Sequence, residues 1–313
     1  MISTERVVVA NALDFFVTEQ GGGPLVILCH GWPELSHSWR HQLPALADAG
    51  FRVAAPDMRG FGRTSAPADI DAYSILDLVG DMVGLVEPWG EKHAVIVGHN
   101  WGAQVAWHCA LFRPDVFTAV AGLIVPPGRR GAAAPLDTLR KQGIGNFYWH
   151  YFQEPGVAER ELEQDVEGSF REILFGSGIS LVLKPGEGFL GKGPAPERLP
   201  SWLNEKDLAH FVESFTRTGF RGGLNWYRNI DRNWRLTAPW RNARILQPAL
   251  FIAGSRDAVI SGPIGEKRLR DMDGVVPHLT RKLIIDGAGH WIQQERPSEV
   301  NSALIAFLEQ VSR

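Results

Sequence analysis

The sequence is poor in cysteine and contains no long apolar run. Only 2 of its 313 residues are Cys, which excludes a small disulfide-stapled protein. Cys29 and Cys109 both lie inside short apolar runs, and we expect them to be reduced core residues of a cytoplasmic protein. No apolar run approaches the length of a membrane span, so we expect no membrane association. The stretch 1–9 lacks a basic segment followed by an apolar one, so we expect no signal peptide.

The sequence also lacks an excess of charge of either sign. Its 32 Lys and Arg residues and 35 Asp and Glu residues give a formal net charge of −3. No basic run stands out, which argues against nucleic acid as a partner. A hydrophobic fraction of 44% is near the globular average and excludes disorder, coiled coil and collagen. A chain of this length can bury a large core without disulfides or metals.

Short apolar runs alternate with helical patterns in the first part of the chain. Runs that are apolar throughout are typical of strands in a parallel sheet that is buried on both faces. Alternating strands and helices form right-handed βαβ units. The pattern therefore predicts an α/β fold with a doubly wound, mostly parallel sheet. The apolar runs are 25–29, 53–55, 94–97 and 119–125, and the helical patterns cover 76–86 and 104–112.

The alternation stops after the two prolines that end at residue 127. Helical patterns then cover 157–174 and 205–218, and the Gly- and Pro-rich stretch 176–200 is predicted as a loop. Strand runs return at 248–253 and 282–285, followed by a last helix at 297–310. We therefore predict one α/β core, residues 1–128 and 240–313, that is interrupted by a helical lid, residues 129–239.

A candidate nucleophile elbow follows the third apolar run. In Gly98-His99-Asn100-Trp101-Gly102, small residues flank a sharp strand-to-helix turn that would raise the side chain of Asn100 above the sheet. The loop after the first apolar run carries Trp32 and Pro33, at the place where such a fold supplies a second oxyanion N–H. The backbone N–H groups of Trp32 and Trp101 are thus predicted to form an oxyanion hole.

An acid and a histidine follow in the order that this fold requires. Asp257 ends the strand run near 250, and His290 follows the next strand run. The order of nucleophile position, acid and histidine is that of an α/β-hydrolase. Asp257 would orient the imidazole of His290, and His290 would act as general base.

The chain resembles the epoxide hydrolases of the α/β-hydrolase fold, particularly the hydrolase domain of the soluble mammalian type. The resemblance spans nearly the whole chain, and the stretches outside the elbow are its more specific part. They are His30-Gly31-Trp32-Pro33-Glu34, Asp57-Met58-Arg59-Gly60-Phe61-Gly62, Tyr151-Phe152-Gln153-Glu154-Pro155-Gly156 and Gly219-Phe220-Arg221-Gly222-Gly223-Leu224-Asn225-Trp226-Tyr227-Arg228-Asn229.

The resemblance implies a two-step mechanism that needs no cofactor and no metal. An elbow carboxylate attacks the epoxide and forms an ester, and water activated by His290 hydrolyses that ester. Two lid tyrosines, Tyr148 and Tyr227 by motif position, would donate to the epoxide oxygen. Glu34 is a candidate for positioning the hydrolytic water, with capping of a helix as the competing interpretation. The pair His37 and His41 is interpreted as a solvated helix face rather than a metal site.

The elbow itself departs from the family, because Asn100 stands where the family has Asp. A neutral amide is a far poorer nucleophile than a carboxylate, so the chain as written should not form the ester. We favour the explanation that Asn100 is an introduced Asp-to-Asn change, since the rest of the machinery is intact. A natural non-catalytic relative is a second explanation. The third is that the amide is hydrolysed by the protein's own base, because it resembles the ester.

Aromatic residues near the two tyrosines predict an apolar pocket for a hydrophobic epoxide. The residues predicted to line the pocket are Trp32, Pro33, Trp101, Phe147, Tyr148, Trp149, Phe152, Tyr227 and Trp291.

The oligomeric state of the protein stays open, with a homodimer as one option.

Two other functions remain as alternatives. A haloalkane dehalogenase shares the fold and uses Asp as nucleophile, and Trp32 and Trp101 are compatible with halide binding. The tyrosine pair argues against it, because a halide leaves without a proton. A non-catalytic small-molecule-binding protein would explain Asn100, but it has no need for the base His290.

Overall fold

The computed structural model describes residues 2–175, 181–191 and 198–312. Within these residues eight strands form a single sheet in the order β1-β2-β4-β3-β5-β6-β7-β8. The predicted α/β fold with a mostly parallel sheet is confirmed. The strands are β1 (Thr4–Ala10), β2 (Leu13–Gln20), β3 (Leu25–Cys29), β4 (Arg52–Pro56), β5 (Ala94–His99), β6 (Phe117–Leu123), β7 (Ala249–Gly254) and β8 (Leu279–Ile285).

The first two strands form an antiparallel hairpin that the apolar pattern did not predict. β1 pairs with β2, and β2 pairs antiparallel with β4, whereas all pairs from β4 to β8 are parallel. β1 lies at the edge of the sheet, and Val7 and Val9 on its outer face are 60% and 69% exposed. An edge strand with one solvated face lacks the continuous apolar run of a buried parallel strand.

Helices cover both faces of the sheet and fill the interruption between β6 and β7. The helices of the described residues are α1 (Gln42–Asp48), α2 (Ile75–Gly84), α3 (Trp101–Phe112), α4 (Pro135–Lys141), α5 (Tyr148–Tyr151), α6 (Val157–Gln164), α7 (Val166–Phe175), α8 (Glu205–Thr218), α9 (Arg221–Arg228), α10 (Ile230–Leu236), α11 (Ala258–Ser261), α12 (Pro263–Val275), α13 (Ile292–Glu295) and α14 (Pro297–Val311). Short 3₁₀ turns occur at Ser36–Trp39, Ile70–Tyr73, Glu87–Trp89 and Ala238–Trp240.

Strand β3 shows how the sheet separates two apolar layers. Ile27 and Cys29 point into the layer that contains α2 and α3, whereas Val26 and Leu28 point into the layer beneath α1 and α14. This alternation follows from the two-residue period of a strand. Because every residue of β3 is buried, its sequence is apolar throughout. Burying each large aliphatic side chain stabilises the fold by about 1.5–3 kcal/mol. Both cysteines are free and buried.

The insertion between β6 and β7 consists mainly of helices α4–α10. The helical pattern at 157–174 proves to be two helices, because Asp165 is extended (φ −145°) and its carboxylate accepts the N–H of Gly168. Of the predicted loop 176–200, residues 176–180 and 192–197 lie outside the described part of the chain. The predicted domain borders at 128/129 and 239/240 stay a prediction. No helix within the described ranges is both long and apolar enough to cross a membrane.

Candidate active site

Asn100 lies at the sharp turn between β5 and α3, at the centre of the sheet. Its backbone has φ 54° and ψ −120°, a conformation that residues other than Gly seldom adopt. The turn is possible because its neighbours are small. A Cβ on Gly98 would overlap the carbonyl oxygen of Gly102, and a Cβ on Gly102 would overlap that of Cys29. The strained turn holds the side chain of Asn100 above the carboxyl ends of the strands, as in a nucleophile elbow.

Two backbone N–H groups converge on the side-chain oxygen of Asn100. The N–H of Trp101 donates to Oδ1 at 2.6 Å, and the N–H of Trp32 donates to the same oxygen at 3.3 Å. Trp101 begins helix α3, so the helix dipole adds positive potential at this oxygen. Trp32 lies in the loop after β3 and is followed by a cis peptide bond to Pro33. The amide oxygen therefore occupies a geometry that stabilises negative charge on oxygen.

The other end of the same amide contacts His290. Nδ2 of Asn100 lies 2.8 Å from Nε2 of His290, and Nδ1 of His290 lies 3.1 Å from Oδ1 of Asp257. An amide nitrogen can only donate and a carboxylate can only accept, so the imidazole is neutral, with its proton on Nδ1. The Asp257 carboxylate also accepts the N–H of Val259, which fixes its orientation.

The environment of His290 favours a strong base. Burial alone lowers the pKa of this imidazole, but the charge of Asp257 and the hydrogen bond to it raise the pKa by more. The net result is a pKa above that of a free histidine. The pKa of Asp257 is lowered by His290 despite burial, so its carboxylate stays ionised. The pair can accept a proton at neutral pH and return it later.

A buried ion pair lies beneath the elbow. Nδ1 of His99 is 2.7 Å from Oε2 of Glu34, and its Nε2 is 2.8 Å from the backbone oxygen of His290. Because both partners are acceptors, both ring nitrogens of His99 carry a proton. Gln293 and Gln294 donate to the other carboxylate oxygen at 3.0 and 2.9 Å, and burial is complete for Glu34 and His99. The network fixes the backbone of His290 from below.

Tyr148 and Tyr227 come from the insertion and lie together above the elbow. Their ring centroids are 5.8 Å apart, and the ring of Tyr227 packs edge-on against Trp101 at 5.1 Å and Trp32 at 5.7 Å. Burial raises the pKa of both phenols, and for Tyr227 the neighbouring Tyr148 raises it further. Both hydroxyls therefore keep their protons at neutral pH and can donate hydrogen bonds.

Comparisons with known proteins identify the family of this chain. The sequence matches the model of the alpha/beta hydrolase fold over residues 24–297. Epoxide hydrolase A of Mycobacterium tuberculosis is 47% identical, with 97% of each chain covered. The chain belongs to the epoxide hydrolase family of the α/β-hydrolase fold.

Two other epoxide hydrolases are also similar to this chain. Epoxide hydrolase A from Mycobacterium thermoresistibile has a crystal structure similar to this chain, with a TM-score of 0.90, 46% identity and 98% of each chain covered. Bifunctional epoxide hydrolase 2 of Sus scrofa is 40% identical over 100% of this chain, which spans 56% of that longer protein.

The aromatic residues predicted for the pocket of this epoxide hydrolase divide into two groups. Trp32, Trp101, Tyr148, Phe152 and Tyr227 form one connected set of rings, with centroid separations of 5.0–5.8 Å. The other three aromatics contact Tyr148 or the two histidines at the elbow. Phe147 and Trp149 pack against Tyr148, and Trp291 packs against His290 and His99.

Phe189 joins the first group and was missed by the sequence analysis. Its ring lies 4.9 Å from Phe152, 5.4 Å from Tyr148 and 5.8 Å from Trp32. The residue stands in the predicted loop, where helical or strand periodicity carries no information. The carboxylate of Glu161 holds it in place by accepting the backbone N–H of Phe189 at 3.0 Å. A lone aromatic residue in a Gly- and Pro-rich loop is the signal that could have pointed to it.

His37 does not lie on a solvated helix face, contrary to the sequence interpretation. Its Nε2 is 2.7 Å from Asp207 on α8, and its ring packs against His210 at a tilt of 36°, with the ring centroids 4.5 Å apart. Arg40 binds the same carboxylate at 3.3 Å and donates to Gln294 at 2.6 Å. Tertiary contact with the insertion therefore covers this face of the core. Within the described residues, no group of three His, Cys, Asp or Glu side chains could hold a metal ion.

Proposed function

We propose that this epoxide hydrolase converts a hydrophobic epoxide into a vicinal diol through an ester on a carboxylate at position 100. The placement of Tyr148 and Tyr227 over the elbow carries this proposal. Ring opening leaves an alkoxide, which is a poor leaving group unless a donor stabilises it. Two protonated phenols next to the nucleophile position supply that stabilisation. A halide would not need it, so a dehalogenase is not favoured.

The first half-reaction needs a carboxylate at position 100. One carboxylate oxygen would attack an epoxide carbon, the C–O bond of the ring would break, and the oxygen would take a proton from a tyrosine hydroxyl. Asn100 as written offers a neutral amide instead. We propose that this form does not open epoxides, and that the amide is an Asp-to-Asn change in otherwise intact machinery.

The second half-reaction uses the groups that contact Asn100 in this structure. His290 would remove a proton from water, and the resulting oxygen would attack the ester carbon. The N–H groups of Trp32 and Trp101 would stabilise the oxyanion. The ester C–O bond then breaks, and His290 returns its proton to the departing alkoxide, which leaves as the diol. The acid formed at position 100 loses its proton, which restores the tyrosine hydroxyl and regenerates the carboxylate. Glu34 would act through His99 by holding His290 in place.

Further proposals concern the substrate, the insertion, the location and the assembly of the protein. The connected aromatic rings favour an aryl or alkyl epoxide. We propose that the insertion, residues 129–239, is a lid that supplies both tyrosines, and that the protein works in the cytoplasm. A homodimer is proposed as the assembly to test. The mechanism requires no cofactor and no metal.

The four tyrosines of the chain provide a matched test of this function. In an Asn100→Asp background, Tyr227→Phe and Tyr148→Phe should each slow epoxide opening by about 10²-fold, because each removes one donor from the developing alkoxide. Formation of the ester from styrene oxide, followed in a single turnover, measures this step. Tyr73→Phe serves as the control, because its hydroxyl donates to the backbone oxygen of Pro67 instead.

Two results would contradict the assignment. One is a Tyr148→Phe, Tyr227→Phe double variant that opens styrene oxide as fast as its parent. The other is an Asn100→Asp protein that releases halide from a haloalkane faster than it opens epoxides, which would favour the dehalogenase.

The pH dependence of the second half-reaction should report the raised pKa of His290. An ester at position 100 is neutral, as the amide is here. The pKa of His290 should therefore be raised in the ester intermediate by the same groups as in this structure. The base must be unprotonated, so hydrolysis should be fastest above the pKa of His290 and fall as pH drops through it. Single-turnover decay of the ester in Asn100→Asp protein measures the midpoint. Asp257→Asn should shift it to lower pH, and an unchanged midpoint would contradict the role of Asp257.

A further inference from the structure

We propose that Gln153 is a positioning residue for epoxide opening, because its side chain joins the two backbone segments that carry Tyr148 and Tyr227. The inference rests on the proposed function, in which these two phenols donate to the epoxide oxygen. It gives a role to the polar part of the stretch 151–156, of which the connected aromatic set uses only the ring of Phe152.

The side-chain amide of Gln153 donates two hydrogen bonds to backbone oxygens. Its Nε2 lies 2.8 Å from the oxygen of Trp149, the residue after Tyr148, and 3.0 Å from the oxygen of Tyr227. Both partners can only accept, so the amide nitrogen must face them. The two N–H bonds of an amide lie in one plane at a fixed angle, so they hold the two oxygens in a fixed relation. Gln153 and Tyr227 are 74 residues apart in the chain.

The segments that carry the two phenols need such support from outside. α5 is a single turn of four residues, and Phe147 before it provides no side-chain cap. One helical turn is unstable on its own, because few hydrogen bonds offset the loss of backbone entropy. Tyr227 lies in the last turn of α9, where backbone oxygens lack partners within the helix. Gln153 supplies a donor to each segment, at the tyrosine itself or at the residue next to it.

Packing holds the two tyrosine rings together but does not fix their relative position. The ring of Phe152 contacts both phenol rings, with centroids 5.3 Å from Tyr148 and 5.0 Å from Tyr227. Burial of apolar surface is non-directional, so it tolerates sliding of one ring past another. The hydrogen bonds of Gln153 are directional. We therefore assign to Gln153 the alignment that lets both hydroxyls reach one epoxide oxygen.

A second link between the same regions should keep the insertion folded when Gln153 is replaced. The buried guanidinium of Arg228, the residue after Tyr227, lies 2.8 Å from the carboxylate of Glu159 on α6. The same guanidinium donates to the backbone oxygen of Glu154 at 3.4 Å. Because these contacts do not involve Gln153, its loss should shift the two phenols relative to each other rather than separate their segments.

Replacing Gln153 by Met in the Asn100→Asp protein tests the proposal. Met has a similar length and no donor, so both hydrogen bonds are lost. Formation of the ester from styrene oxide in a single turnover should slow by about 10-fold, because a donor displaced by about 1 Å stabilises the developing alkoxide less. Decay of the ester should keep the parent rate, because that step uses His290 rather than the phenols. Gln153→Asn keeps the amide but cannot reach both oxygens, so it should slow ester formation as well.

Gln247 provides the matched control for the loss of two hydrogen bonds. It is buried, and its Nε2 also donates to two backbone oxygens, those of Ala110 at 2.6 Å and Phe117 at 3.1 Å. Gln247→Met should lower the thermal unfolding temperature, because it removes the same kind of bonds. It should leave ester formation at the parent rate.

A double variant separates positioning from a loss of stability. If Gln153 acts through the tyrosines, adding Gln153→Met to Tyr227→Phe should slow ester formation by only about 3-fold or less, because one hydroxyl that it places is already gone. The proposal is overturned if Gln153→Met forms the ester at the parent rate or slows ester decay equally. An effect that is undiminished without the Tyr227 hydroxyl would overturn it as well.

Failure here is distinguishable from failure of the proposed function. If Tyr227→Phe slows ester formation but Gln153→Met does not, the positioning role is wrong and the proposed function stands. If neither Tyr148→Phe nor Tyr227→Phe slows ester formation, the roles of the phenols and of Gln153 are both wrong.

Discussion

Replacing Asn100 by Asp should increase the rate of styrene oxide hydrolysis by roughly 10⁴-fold or more over the amide form, because a carboxylate supplies the nucleophile that the rest of the site serves. The expected gain is large because every other group is already in position. Oδ1 accepts two backbone N–H groups, His290 is within hydrogen-bond distance, and the tyrosine pair packs against Trp101 at the turn. Diol formation over time, measured beside the chain as written, gives the ratio.

The comparison needs a variant that defines the background rate and a second variant that controls for the added charge. Asn100→Ala can neither attack an epoxide nor hydrolyse its side chain, so it defines the background. Asn242→Asp adds the same charge at an exposed position and should leave the activity of the amide form unchanged. The amide preparation should be checked by peptide mass, so that any aspartate already present at position 100 is counted. Equal rates for Asn100→Asp and Asn100→Ala would refute a carboxylate nucleophile at this position.

Replacing His290 by Gln in the Asn100→Asp protein should block the second half-reaction while leaving the first in place. Turnover should fall by about 10³–10⁴-fold, and the ester should accumulate to about one equivalent per protein, because no other group of the site is placed to activate water. Intact-protein mass spectrometry after mixing with styrene oxide would show the adduct, and peptide mapping would locate it on the introduced aspartate.

A second histidine variant separates this effect from a general loss of stability. His278 is an exposed residue outside the insertion, and its Nδ1 contacts the backbone oxygen of Leu246. His278→Gln should turn over as its parent does and accumulate no ester. If His290→Gln turned over without accumulating ester, the assignment of His290 as the base would be wrong.

Several features of this epoxide hydrolase could be predicted from sequence because they are local. The run Leu25–Cys29 is apolar throughout, which is sufficient to predict a strand buried on both faces. The small residues around Asn100 mark a sharp turn, and the order of Asn100, Asp257 and His290 along the chain indicates the fold. The β1–β2 hairpin escaped prediction because one face of its edge strand is solvated.

The details of the site depended on contacts between residues that are far apart in the chain. The sequence by itself determined the mostly parallel sheet, the candidate catalytic side chains and the departure at Asn100. Only the tertiary structure decided that Oδ1 of Asn100 faces Trp32 and Nδ2 faces His290, across separations of 68 and 190 residues. Periodicity reports which face of an element is buried, but the direction of a hydrogen bond depends on the partner that folding brings to it.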